Sequence, residues 1–487
     1  MEGKVDNSLD TLEPRLLWKH FLQLAKIPRG SGNEAAAARY VAETSRAMGH
    51  SVLVDEAGNV VIRKKPFPGK ENISGVVLQA HVDMVCEKNE ETCHDFLKDP
   101  IEVYRDGDML RARGTTLGAD NGLGVAAALA ILESADIRHG SLEVLITVDE
   151  ETGLTGANKF RGGILRGRYL LNLDSEEEDV LTIGCAGGID TLVTQNVYLK
   201  VSNPAKKAYR LKVSGLRGGH SGTDINRGRG NSICMLARAL YRLIPELSID
   251  LARIDGGNKR NAIPREAFAV ILAAPEQEEK LYAAVSACSE EFRLAFGAFE
   301  PGLSLSLEKA AEPEMVMSEA DAWALVCFLF TAPHGVTAMS PDIENLVQTS
   351  INLGVIETKR DMVEITFLIR SSIDSCKMAL ASRIAALASL AGMGCSHTGG
   401  YPGWRPDTRT SLVKIVLGIY EHLYGGSMSV KAMHAGLECG IIGEKYPGME
   451  MVSIGPNMWD LHTPEEKVSI SSSARFLDFL KAIIESL

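Results

Sequence analysis

In the stretch VLITVDEETGLTGA, residues 144–157, an apolar run ends at Val148 and three acids follow in a row, Asp149, Glu150 and Glu151. Polar tips of this kind recur. His81 and Asp83 stand near the end of GVVLQAHVDMVCE (75–87), Asp174 closes LLNLD, Asp120 sits in the Gly-rich GTTLGADNGLG, and His462 lies in DLHTPEE. Carboxylate and imidazole are the ligands of borderline divalent metals such as zinc, and a set without cysteine favours a catalytic over a structural site. His81 and Asp83 are two apart at a strand end, hence on one face, so Asp83 can accept the second ring N–H of His81 and fix its tautomer. Glu150 and Glu151 are adjacent and point in different directions. One can ligate a metal while the other faces a water as base.

Taken singly, each residue has a plainer reading: a half-buried histidine at 81, a helix cap at Asp120, a solvated acidic turn at 149–151 or at Asp174. Their joint occurrence at the ends of apolar runs carries the argument. His20, His50, His94, His139 and His422 have no such setting and read as surface or packing residues.

The elements that must position these groups are legible in outline. Leu142 to Val148 reads as a strand buried on both faces, as in a helix-covered parallel sheet, and ligands gather at the carboxyl ends of such strands. Helices are predicted at 16–25 and 33–48, the second capped by Ser31 or Asn33, with strands at 51–55 and 59–63. Asp120 or Asn121 would cap an Ala-rich helix packed on the sheet. After GCAGG (184–188) the texture changes to alternating strands, YRLKVSGL and AFAVILAA, with helices at 231–244 and 276–297, which predicts an α+β domain with an antiparallel sheet. A similar order follows, with a helix at 318–331, strands at 346–355 and 361–370, and a helix at 375–391, so a duplicated βαββαβ unit is expected. HTGGYPGWRPD (397–407) reads as a return linker, and a helix at 410–423, the strand MEMVSIGP and a helix at 471–486 resume the first texture. The expected fold class is α/β. A mixed, largely parallel sheet flanked by helices would be built from 1–186 and 402–487, with an α+β domain inserted at 187–401.

At 487 residues the chain is long enough for two domains or three. Its 51 basic and 63 acidic residues give a net charge of −12, which disfavours nucleic acid and a membrane surface as partners. Nine scattered cysteines without a C-x-x-C pair describe no disulfide framework and suit a reducing cytoplasm. The N-terminal MEGKVDNSLDTLEPRLLWKH carries acids early and no apolar export segment. A soluble, cytoplasmic protein is expected.

The motifs HVDMVCE, GTTLGADNGLG, DEETGLTGA, LNLDSEE, GLRGGHSG and DLHTPEE, in this order and over nearly the whole chain, resemble the aminoacyl-histidine dipeptidases, also called Xaa-His or cytosol non-specific dipeptidases. These are part of the two-zinc aminopeptidase, carboxypeptidase, aminoacylase and carnosinase group. The resemblance implies a zinc-peptidase catalytic domain with an inserted lid at 187–401, and two Zn²⁺ per chain, replaceable by Co²⁺ or Mn²⁺. It implies that His81 and Asp174 hold one ion, Glu151 and His462 the other, and that Asp120 bridges them ahead of a cis Asp120-Asn121 peptide. Asp83 would orient His81, and Glu150 would be the general base. In the lid, His220 of GGHSG would polarise the scissile carbonyl, while Asn261 of NAIP and Arg370 of FLIRSS would hold the substrate backbone and its terminal carboxylate. His434 and Glu438 of HAGLECG, typical of this subfamily, are expected beside the substrate. The implied reaction is metal-dependent dipeptide hydrolysis; the alternative is an aminoacylase or deacetylase of N-acyl amino acids on the same scaffold. A homodimer is compatible with the resemblance.

Overall fold

The computed structural model describes residues 9–487. Residues 1–8, the beginning of the expected 1–186 segment and of the stretch read as lacking an export signal, lie outside the described residues. The chain divides into two compact units. One comprises the described residues up to Gly184, with Pro406–Ala432 and Leu437–Leu487, the other Cys185–Arg405 and Met433–Gly436.

The first unit is built on an eight-stranded sheet in the order Ser51–Val54, Val60–Lys64, Leu142–Thr147, Val76–His81, Tyr169–Asn172, Glu450–Ser453, Val180–Cys185, Ser429–Met433. The four strands from Leu142–Thr147 to Glu450–Ser453 in this order run parallel, and antiparallel neighbours flank them. Val76–His81, Leu142–Thr147 and Tyr169–Asn172 are buried at every position, which is why their sequences run apolar without alternation. Their parallel course brings His81, the segment after Thr147 and the segment after Asn172 to one edge of the sheet.

The Ala-rich helix Ala119–Glu133 is buried along nearly its whole length and packs on Val76–His81, while the helix Arg15–Leu24 covers it with Leu17, Trp18, Phe21 and Leu24. Small residues let this helix come close. A Cβ on Gly124 would stand 2.6 Å from the Leu173 carbonyl oxygen, beside Asp174. Leu123, Val125, Leu129 and Ile131 are fully removed from water, each contributing about 1.5–3 kcal/mol.

The second unit carries a nine-stranded sheet whose main path runs Ser304–Lys309, Lys207–Ser214, Ala267–Ala273, Asp250–Gly256, Val347–Thr358, Met362–Ser371, Gly187–Asn196, Gly394–Tyr401. Lys207–Ser214, helix Ser232–Leu247, Asp250–Gly256, Ala267–Ala273, helix Glu278–Phe296 and Ser304–Lys309 form one βαββαβ half. The other half holds helix Glu319–Thr331, Val347–Thr358, Met362–Ser371, helix Asp374–Leu390 and Gly394–Tyr401. The halves meet at the pair Gly256 and Ile356 and repeat the same order outward from it.

Two expectations are corrected here. The second half does not close within 300–400, because its remaining place in the sheet is filled by Gly187–Asn196 from ahead of the first half; Met315–Met317 pairs instead with Leu199–Val201 in a separate ribbon. HTGGY is not linker but the end of a strand paired with Gly187–Asn196, and the glycines that suggested a loop accommodate a register shift between Thr398 and Tyr401. Among the described residues, no helix is long and apolar enough to cross a membrane.

Candidate metal centre

The site begins where the parallel strands of the first unit end. Past His81 the chain brings in Asp83, fully buried, whose Oδ1 accepts the Glu150 N–H at 3.0 Å. Its Oδ2 accepts the Glu151 N–H at 3.2 Å and the Ser31 hydroxyl at 2.8 Å. Ser31 is therefore spent on Asp83, and the helix Ala35–Ala47 starts from Glu34 with no side-chain cap, contrary to the expected Ser31 or Asn33 cap. Asp83 Oδ1 also lies 3.4 Å from His81 Nδ1, while the Asp83 main-chain oxygen accepts the hydrogen bond from that nitrogen at 3.2 Å. Burial alone would raise the Asp83 pKa, but His81, the Glu150 N–H and Ser31 outweigh it and hold the carboxyl at about 2.

The three adjacent acids are separated by backbone geometry. Asp149 takes a left-handed conformation at φ 52° and accepts the Thr152 hydroxyl, and a second left-handed residue, Leu154 at φ 56°, completes the turn. The N–H groups of Glu150 and Glu151 are thereby pinned to Asp83, and their side chains are turned into the site.

Ligand-type atoms of His81, Asp120 and Asp174 lie within 4.8 Å of one another, as do those of Asp120, Glu151 and His462, so Asp120 belongs to both groups. His81 Nε2 is 3.1 Å from Asp120 Oδ1 and 3.2 Å from Asp174 Oδ1. His462 Nε2 is 3.2 Å from Asp120 Oδ2 and 3.1 Å from Glu151 Oε1. The Asp120-Asn121 peptide is cis, as the resemblance implied, and Asn121 donates its amide to Asp174. His462 holds a left-handed backbone at φ 60°, an unfavourable conformation of the kind found where a site fixes a side chain. Glu150 falls with His81 and Glu151 in a third grouping.

The donor chemistry fits divalent cations. Carboxylates outnumber imidazoles, and Glu151 Oε1 is buried with the His462 ring nitrogen as its neighbour at 3.1 Å. Burial would push the His81 imidazole down, yet Asp174, Asp120 and Asp83 hold it well above its usual range. Donation from the His462 ring to the Asp120 and Glu151 carboxylates raises its pKa to about 11. Without a cation, protons on the imidazoles balance the carboxylates; a divalent ion replaces them and releases them on binding. Burial raises Asp174 to about 6, against the pull of His81, and sets Glu150 well above a normal carboxyl group.

Several supporting residues escaped the sequence reading. Glu466, almost fully buried, accepts the main-chain N–H groups of Leu117 at 2.7 Å, Gly118 at 2.9 Å, Ala119 at 2.7 Å and Asp120 at 3.4 Å. It ties the Asp120 turn to the segment that carries His462, and its place four residues after His462 was the available signal. Buried Arg29 bridges the carbonyl oxygens of Val82 at 3.0 Å and Gly118 at 2.5 Å. Glu438, which the sequence did single out, is fully buried, accepting from Gln79 at 2.5 Å and Thr147 at 2.6 Å, and thus joins the strands that end in His81 and in the acid turn. Burial lifts its pKa to about 7.

The second unit holds the other residues singled out. His220 Nδ1 accepts the N–H groups of Gly222 at 3.3 Å and Thr223 at 3.2 Å, which puts the ring proton on Nε2. Arg370 Nη2 lies 3.4 Å from that Nε2. Arg370 is buried, its Nε has no partner, and Nη1 donates to the Tyr401 hydroxyl at 2.9 Å. Burial and Arg370 keep His220 below its usual range, hence neutral near pH 7. Asn261 is exposed, and its carbonyl accepts the Ser221 N–H at 2.8 Å. His434 is buried and paired with Ser350 at 2.7 Å.

The profile of peptidase family M20/M25/M40 matches residues 77–486. The cytosol non-specific dipeptidase of Escherichia coli K12 is 40% identical over 483 residues, covering 99% of each chain. The crystal structure of aminoacylhistidine dipeptidase from Vibrio alginolyticus superposes with a TM-score of 0.92 at 42% identity, covering 98% of each chain. Aminopeptidase PepT from Bacillus cereus shares the fold, with a TM-score of 0.57 at 16% identity over 97% of this chain and 98% of its own.

Proposed function

The chain belongs to peptidase family M20/M25/M40, and on that premise we propose that it is a dipeptidase of broad, Xaa-His-accepting specificity that works with two divalent cations, zinc by preference and cobalt or manganese as substitutes. The observation that carries this reading is the sharing of Asp120 between two ligand groups with Glu150 beside them. The donors present fit the ions. His81 and Asp174 would hold one, Glu151 and His462 the other, and Asp120 both. Bound there, the ions supply Lewis acidity towards the scissile carbonyl and make a water acidic enough to lose a proton near neutrality.

The protein's own groups do the rest. Glu150 is placed as the proton carrier. It takes a proton from the attacking water as the new C–O bond forms, and delivers it to the amine as the C–N bond breaks. Asp83 would position both His81 and Glu150, its main-chain oxygen accepting from the ring Nδ1 and its carboxylate from the main-chain N–H of the base. His220, neutral and carrying its proton on Nε2, would donate to the developing oxyanion, an interaction worth about 3–4 kcal/mol in comparable hydrolases. Asn261 and Arg370 would hold the substrate backbone and terminal carboxylate. His434 and Glu438 are assigned to the same substrate-binding set, acting from buried positions. The reading includes a cytoplasmic protein, consistent with nine scattered cysteines and no C-x-x-C pair in the sequence, and allows a homodimer.

Assay of metal-loaded protein on dipeptides, tripeptides and N-acetyl amino acids tests the reading. Turnover of free-amine dipeptides is expected, and exclusive use of N-acetyl amino acids would replace it with an aminoacylase.

A further inference from the structure

Beside the metal-ligand cluster, within the first unit, lies a cavity of about 360 Å³ that nothing in the mechanism uses. It is bounded by Met84, Val85, Cys86, Phe96 and Leu97, and it shares Glu151 with the cluster. Its loops follow the ends of strands Val76–His81 and Leu142–Thr147, so it opens at the edge of the sheet where the ligands gather. Leu97 is 68% exposed, so the cavity wall it forms is open to an incoming side chain.

We propose that this cavity receives the side chain of the first residue of the dipeptide and selects uncharged aliphatic side chains of leucine or methionine size. The inference rests on the dipeptidase reading. In a dipeptide the carbonyl carbon under attack belongs to the first residue, whose side chain branches from the adjacent carbon. A cavity that shares a ligand residue with the cluster is therefore within its reach, whereas the second side chain leaves beyond the scissile nitrogen. The lining chemistry sets the class. Ser31, Asn33 and Thr152 add neutral polar groups to the wall, Ser31 already donating to Asp83, and the charged lining residue, Glu151, is engaged by the cluster, so a charged substrate side chain would lose hydration without gaining an opposite charge. An aliphatic or thioether chain buries apolar surface against Met84, Val85, Phe96 and Leu97 instead.

The experiment is a kcat/KM series on Gly-Gly, Ala-Gly, Leu-Gly, Met-Gly, Asp-Gly and Lys-Gly with the wild-type protein, Leu97→Ala and Leu97→Asp. Exposed Leu97 tolerates both changes without loss of the fold. Wild type is expected to favour Leu-Gly and Met-Gly over Gly-Gly by about tenfold or more, the scale of a few methylene contacts in a pocket. Leu97→Ala should reduce that ratio, and Leu97→Asp should abolish it while raising Lys-Gly relative to Leu-Gly. Equal kcat/KM across the wild-type series, or ratios in Leu97→Asp within about twofold of wild type, would overturn the proposal and leave the dipeptidase reading standing. A wild-type protein that cleaves none of the series would end both.

Discussion

Glu466 and Asp120 are joined through the main chain: the Glu466 carboxylate takes the N–H of Asp120 together with those of the three residues before it. The turn that presents the shared ligand is thus fixed from the segment that presents His462. Glu466→Gln puts an amide N–H₂ where only acceptors fit, and two main-chain N–H groups lose their partner. Metal affinity, measured by competition with a chelator, should fall about 10- to 100-fold, the range for groups that orient metal ligands. The visible spectrum of the cobalt-loaded variant should shift as well. Unchanged affinity and spectrum would mean that Asp120 is held without Glu466.

Asp120 is the carboxylate common to both ligand groups. Asp120→Ala should lower the metal content from two ions per chain to one or none, as read by elemental analysis of dialysed protein. Two retained ions would show that the bridge is formed elsewhere.

Arg370 is buried, with its Nε unpartnered and, among the described residues, no carboxylate hydrogen-bonded to it. If it receives the substrate carboxylate, Arg370→Lys should raise KM for dipeptides by about 10- to 100-fold, the loss of one charge-assisted interaction, and leave hydrolysis of the dipeptide amides nearly unchanged. Equal losses on both substrates would count against that role.

The legible part of this architecture was the part written in contiguous residues. GVVLQAH and LEVLIT run apolar because both faces of each strand are covered, and their polar ends therefore stood out as His81, Asp83, Glu150 and Glu151. Long-range pairing was not legible. Gly394–Tyr401 contains Gly399 and Gly400 and reads as a loop until its partner Gly187–Asn196, two hundred residues earlier, is known. Glu466 carries no local signal beyond its place after His462, because the N–H groups it serves lie 346 to 349 residues upstream. Ser31 looked like a helix cap because its use by Asp83 depends on a contact between loops.

His434 is buried against Ser350, and burial together with Arg370 lowers its pKa to about 3. In the unfolded chain it titrates near about 6.5. Between these values the unfolded state binds the extra proton, so this contribution is complete above about pH 6.5 and is lost as the pH falls towards 3, at up to ~1.4 kcal/mol per pH unit. His434→Gln should flatten the acid limb of a denaturant-midpoint profile between about pH 6.5 and pH 5. An unchanged slope would show that His434 does not remain neutral in the fold.

The central claim is that Glu150 moves the proton while its neighbour Glu151 ligates. The most direct test measures metal content and turnover on the same preparation of Glu150→Gln. The account predicts two ions per chain, as in wild type, with turnover lowered by about 10²-fold or more, because an amide cannot accept a proton from water. Near-normal turnover, or loss of an ion from Glu150→Gln while Glu151→Gln keeps both, would contradict it.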